Sequence, residues 1–148
     1  MIRLVGPIEL PSGVVAVMEA PGSPAWLEAS LPIGAHRVLV CEEDGNLRVE
    51  QGDVIDLARG ERLGTVVIEG YSLFIGDADA IGRASGRDGE RFWSELLARA
   101  DSNAVMAAGS FDLASGVAVA FTGMQGGEHG VYALVDGLGR RRGILVEG

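Results

Sequence analysis

Short apolar runs broken by glycines dominate the pattern of the chain. VVAVME, residues 14–19, is apolar on both alternating faces, as expected of a strand covered on both sides. Further strands are predicted over residues 36–42, 47–51, 63–69, 71–76, 104–108 and 116–122. Two last runs, 131–135 and 142–146, flank Asp136, Gly137, Leu138 and Gly139. Those residue types tolerate the positive φ of tight turns, so a terminal β-hairpin is predicted. Close, glycine-punctuated spacing of so many short strands points to an antiparallel sandwich or a partly closed barrel.

One segment has a different period. In DGERFWSELLARADS, Phe92, Trp93, Leu96, Leu97 and Ala100 recur at helical spacing, and Glu95 and Arg99 form an i, i+4 pair on the opposite face. The main helix is therefore predicted over about residues 89–100, with Asp88 as its N-cap and Trp93 in the core. A second short helical turn is predicted to begin near Asp77. All five prolines, Pro7, Pro11, Pro21, Pro24 and Pro32, fall in the first 32 residues, which are predicted to form short edge strands and turns because proline cannot donate to a central ladder. Trp26 lies in this region and is expected to pack at a sheet edge. The fold class is thus α+β and β-rich, with one main helix.

At 148 residues, with no linker or internal repeat, the chain is expected to form a single globular domain over 1–148. A chain of this size buries roughly two-thirds of its unfolded surface, enough for its own core. Its 23 glycines are about twice the usual share and agree with many turns. The balance of 12 basic against 21 acidic residues leaves a net charge of −9, which repels phosphate backbones and anionic membranes, so neither nucleic acid nor a membrane is an expected partner. All the basic residues are arginine, which removes Schiff-base lysine chemistry. Cys41 is the only cysteine, the amino terminus lacks a continuous apolar leader, and no apolar run approaches the ~20 residues of a membrane helix. A cytoplasmic location is the expectation.

Candidate chemistry is sparse. The chain has two histidines, His36 and His129, and a metal site could combine them with Asp77 or Glu128. No pair has diagnostic spacing, and a strand-end histidine with a buried thiol at Cys41 is the commoner arrangement. The stretch GGEHGVY offers Glu128 and His129 for general acid or base work on a glycine-rich loop. Asp77 follows an apolar run, from which it could point into a cleft or, more commonly, cap a helix. No nucleophile elbow, phosphate loop, zinc-protease helix or dinucleotide fingerprint is present. No cofactor is expected.

Charge offers a second route to function. Glu42, Glu43, Asp44, Glu50, Asp53 and Asp56 crowd into fifteen residues opposed only by Arg48. Such a field suits either a solvated edge or a surface that steers a basic protein. Arg140, Arg141 and Arg142 are expected to solvate a sheet edge and discourage intermolecular strand pairing.

Four small motifs occur in order: GPIELPSGVVAVMEAP, LPIGAHRVLV, YSLFIGDADAI and FTGMQGGEHGVYALVDGLGRRRGILVEG. Together the chain resembles the bacterial domain of unknown function family 4241, in an SG before an apolar strand, a P-x-G that introduces a strand, a sheet aspartate and a terminal glycine-rich hairpin with a tyrosine. Pro11, Ser12, Gly13, Pro32, Gly34, Asp77, Gly130 and Tyr132 occupy the matching positions. Thr122 stands where the family has serine and His129 where it has aspartate, so an aspartate-based function would not transfer. The resemblance implies an architecture and no reaction.

These readings converge on a non-catalytic protein-binding domain, with an immunity or antitoxin-like inhibitor of a basic protein as the concrete version and Glu42, Glu43, Asp44, Glu50 and Asp53 as its binding residues. The alternative is a small-ligand or metal-dependent enzyme or binder using a cleft near the 123–130 loop, with Glu128, His129 and Asp77 as catalytic groups and His36 and His129 as metal ligands.

Overall fold

The computed structural model describes residues 2–18, 27–41, 43–52, 56–68, 72–82, 108–111, 118–122 and 126–148. They form two antiparallel sheets packed as a sandwich, with a single helical turn at residues 78–82. The eleven strands among the described residues are β1 (Ile2–Leu10), β2 (Val14–Met18), β3 (Leu27–Ser30), β4 (Gly34–Cys41), β5 (Leu47–Gln51), β6 (Ala58–Ile68), β7 (Ser72–Asp77), β8 (Ala108–Phe111), β9 (Ala118–Thr122), β10 (Gly127–Val135) and β11 (Arg141–Val146). One sheet runs β1-β4-β5-β11-β10-β6 and the other β3-β2-β7-β9-β8. Of the two predicted architectures, the sandwich is the one formed: the described strands make two separate sheets and no closed barrel. The predicted helix over 89–100, with Trp93, lies outside the described residues, as do Trp26, Glu42 and Asp53.

Period-two alternation sets the core. Val38 and Val40 on β4, Leu47 and Val49 on β5, and Ile144 and Val146 on β11 point inward and meet Val15, Val17, Leu73 and Ile75 of the second sheet. β2 is buried along both faces, because Ala16 and Met18 are as inaccessible as Val15 and Val17. On the neighbouring β7, Phe74 lies opposite Met18 and shares that second buried face.

The proline-rich start departs from its expectation. Instead of short pieces, β1 is a nine-residue strand with Pro7 inside it. The ladder tolerates this because β1 is an edge strand, paired only with β4. β6 begins five residues before its predicted start, reaching back through Ala58–Arg62. Register shifts in its pairing with β10 let the polar ARGER sequence follow the sheet edge.

The terminal hairpin forms where predicted. The turn closes through the Gly139 N–H, which donates to the Asp136 carbonyl at 3.0 Å, and Gly139 takes φ +77°, the left-handed region that favours glycine. Asp136 organises the turn: Oδ1 accepts from the Leu138 and Arg140 N–H groups at 2.9 Å each, and Oδ2 accepts from Arg140 Nε at 3.2 Å and Arg142 Nε at 3.1 Å. With the Arg140 backbone N–H as the leading cause, its pKa is held down at about 2. The arginines do not guard an edge. β11 lies between β10 and β5, and Arg140 and Arg142 pair with Asp136 while Arg141 pairs with Glu61.

Candidate functional site

Two ends of the sandwich carry the residues singled out above. One end holds the β1–β2 turn, the start of β4, the end of β7 and the 136–140 hairpin. The other holds the β4–β5 turn, the start of β10 and the carboxyl terminus.

At the first end, Asp77 closes β7 on the inner side and is fully buried. Its Oδ1 accepts from the Ser12 hydroxyl at 2.6 Å and the Ser12 N–H at 3.0 Å. Its Oδ2 accepts from the Ala80 N–H at 2.9 Å, three residues ahead, which is the bond of an N-cap. The helical turn predicted near Asp77 is present, and Asp77 caps it. Gly13, with φ +72°, completes the same junction, its carbonyl accepting from the Leu31 N–H at 2.9 Å. Ser12, Gly13 and Asp77, separate in sequence, therefore belong to one junction, and the Leu31 N–H bond ties it to the segment that leads through Pro32 into β4 at Gly34. At the far end of the chain, Tyr132 folds back over Gly130, where an added Cβ would meet the ring at 2.9 Å.

The proposed partnership of the histidines is not formed. His36 is on β4 and His129 on β10, with β5 and β11 between them, three strand spacings or ~14 Å sideways. They also lie at opposite ends: His36 pairs with Gln51 at the close of β5, whereas His129 precedes the Val131–Val146 pair. This register keeps His36 and His129 apart, so the two do not share one site. Residues 127–130 are strand, not loop, because Glu128, His129 and Gly130 pair with Val67, Val66 and Thr65 of β6. His129 is buried, its Nδ1 2.8 Å from the Glu147 carbonyl, and fastens the carboxyl-terminal segment. Among the described residues no three of His, Cys, Asp and Glu gather as metal ligands would.

His36 is also buried, with Nδ1 donating to the Gly34 carbonyl at 3.0 Å and Nε2 lacking a partner among the described residues. Burial lowers its pKa from 6.5, against smaller upward pulls from the Gly34 hydrogen bond and the Glu9 charge. Below pH 6.5 the unfolded chain takes up a proton that folded His36 resists. Stability is therefore unaffected by this group above that pH and falls as pH drops below it, by at most about 1.4 kcal/mol per pH unit. Urea midpoints at pH 7.5 and 5.5 should differ less in His36→Gln, which stays neutral and can still donate to Gly34. An equal difference in both proteins would assign the pH dependence to other groups.

The acidic stretch separates into two parts, Glu50 toward the first end and the β4–β5 turn at the second. Glu50 does not present a free charge: it is buried on the outer face of the larger sheet between Arg48, at 2.6 Å, and Arg37, at 3.3 Å. Neighbouring strands β4 and β5 place those three residues side by side, a pairing invisible in the linear charge count. Glu43 and Asp44 are exposed on the β4–β5 turn. That turn is braced by the Cys41 N–H to the Asn46 carbonyl at 2.9 Å, the Gly45 N–H to the Cys41 carbonyl at 2.8 Å, and the Asn46 N–H to Asp44 Oδ1 at 2.9 Å. Cys41 Sγ donates to Glu43 Oε2 at 3.1 Å, and the Gly148 N–H donates to Asn46 Oδ1 at 2.8 Å. The Asn46 N–H is the leading cause of a lowered pKa at Asp44, which holds its charge further into acid than a free aspartate. Glu128 is exposed at the start of β10, two strands over from β5, and Glu147 is held by Arg59 at 3.0 Å.

Arg141 was expected to be a solvating charge; the structure turns it inward. The irregularity between Leu134 and Val135 places Arg141 opposite Val135, so its side chain reaches the second sheet, where Nη1 is 3.5 Å from the Ser30 carbonyl. The signal in the sequence is the length of the DGLG turn with its glycine at the left-handed position, a loop class that commonly ends in a bulge. No helix among the described residues is long and apolar enough to cross a membrane. No protein-family model, curated protein or solved structure matches this chain.

Proposed function

We propose that this chain is a non-catalytic protein-binding domain that uses the acidic β4–β5 end of its sandwich to engage a basic protein, in the manner of an immunity or antitoxin-like inhibitor acting in the cytoplasm. The observation that carries this reading is the Glu43–Asp44 turn. Two carboxylates stand exposed on a backbone fixed by several hydrogen bonds, so little ordering is required on binding. The net charge of −9 adds a long-range field of the same sign. Asp77, His36 and His129, the groups that an enzymatic reading would use, serve the cap and the strand ends instead. The kinship with domain of unknown function family 4241 remains part of the proposal, and the meeting of Ser12, Gly13 and Asp77 at one junction supports it as an architecture.

Charge steering dictates the test. A partner recovered by pull-down from the native cell should associate more slowly as salt rises, because exposed charges are screened over about 8 Å at physiological ionic strength. Glu43→Arg combined with Asp44→Asn should cut the on-rate on the order of tenfold and change the off-rate much less. Asparagine at 44 retains the acceptor for the Asn46 N–H, so the turn survives. A partner whose association ignores both salt and the substitutions would return these acids to the role of a solvated turn.

A further inference from the structure

We propose that the mouth between β3 and the β10–β11 hairpin binds a small organic monocarboxylate, anchored by Arg141 and seated on Ala133 and Val135. This site lies at the opposite end of the sandwich from the Glu43–Asp44 turn and does not depend on the protein-binding reading.

A cavity of about 450 Å³ opens there, lined by Ser30, Glu61, Ala133, Val135, Gly139 and Arg141. That volume falls within the ~300 to 1,000 Å³ of small-molecule sites. Its position follows from the topology. β3 is an edge of the smaller sheet and β6 of the larger, and where the inward-facing core runs out the two edges leave a gap. Ala133 and Val135 form its apolar lining, while the bulge in the hairpin brings Arg141 in from the same face.

Arg141 is loosely held. Among the described residues its contacts are Glu61 Oε1 at 3.2 Å, on a side chain 72% exposed, and the Ser30 carbonyl at 3.5 Å. Charge-assisted N–H···O bonds are normally ~2.7 to 2.9 Å, so neither contact uses the guanidinium fully. The flanking cations are not in the same position, because Arg140 and Arg142 are both engaged by Asp136. One inward cation beside apolar walls matches one negative charge on a short apolar body. Glu61 already places a carboxylate on that guanidinium through one contact; a ligand carboxylate would displace it into solvent and take up the bidentate geometry the guanidinium favours. The overall charge of −9 disfavours a multiply charged anion.

The test titrates butyrate, hexanoate and benzoate into the full chain, followed by calorimetry and by the shift in thermal midpoint, with hexanamide and inorganic phosphate as comparisons. Saturable binding of at least one carboxylate, absent for the amide and the phosphate, is expected. Arg141→Gln should weaken that binding on the order of tenfold or more. Glu61→Gln, at an exposed position where folding is not at risk, should strengthen it ~two- to fivefold by removing the internal competitor. The opposite effects of the two substitutions separate an anchored carboxylate from general attraction. Binding of none of the carboxylates, equal binding of the amide, preference for phosphate, or a Glu61→Gln protein that binds no better would each overturn the assignment.

Discussion

Phe74→Ala is expected to destabilise the folded chain by about 3–5 kcal/mol, the range for removal of a core aromatic. Phe74 is 1% exposed, yet it does not belong to the inter-sheet cluster. On β7 it alternates with Leu73 and Ile75, which do, and it stands beside Met18 on the face of the smaller sheet turned away from the larger one. Its burial, with that of Ala16 and Met18, means that this sheet is covered on both sides. The ring leaves behind a space that strands, fixed by their ladders, close less readily than loops do. Phe74→Leu, closer in volume, should cost roughly 1.5 kcal/mol or less. Urea denaturation of the two variants measures both. A midpoint for Phe74→Ala within error of the parent would show that the second face is not packed.

Asp77→Ala should cost about 2–4 kcal/mol, from two separate losses. The Ala80 N–H at the helical turn loses its cap, ordinarily ~0.5 to 2 kcal/mol. The Ser12 N–H and hydroxyl also lose their acceptor in a partly buried junction, where an unsatisfied donor costs ~1 to 3 kcal/mol. Ser12→Ala removes only the hydroxyl and should cost about 1 kcal/mol. In the double variant the two changes should be less than additive, because they break one shared bond. Fully additive effects would mean that Ser12 and Asp77 act independently, leaving Asp77 available for another role.

These two residues also mark what a linear reading can reach. The double burial of β2 was visible in VVAVME, since an apolar residue on each alternating face has only one comfortable environment. The terminal hairpin and the cap at Asp77 were visible too, because turn chemistry and capping act over three or four residues. Proline misled at β1. Its penalty depends on whether the missing N–H faces a neighbour, and the edge position of β1 is decided by strands elsewhere in the chain.

Charges and histidines were the hardest to place, for the same reason. Glu50 belongs to a run of acids in the sequence, but its energetics are set by Arg37 on the adjacent strand and by Arg48 two residues before it on the same outward face. His129 sits in a glycine-rich stretch that reads as a loop until β6 pairs with it.

Local pattern alone therefore determined that this chain is β-rich, where strands such as β2, β4, β5 and β11 run, and where its sharpest turn and its short helical cap lie, since each depends on sterics and hydrogen bonds within a few residues. Strand order across the sheets was decided only by the tertiary structure, and with it every long-range pairing of side chains. It set the two histidines at opposite ends, buried Glu50 between arginines, joined Ser12 to Asp77 across 65 positions and turned Arg141 into the mouth between the sheets. Those relations depend on which edges meet once the whole core closes, and a period of two along a strand carries no record of its neighbours.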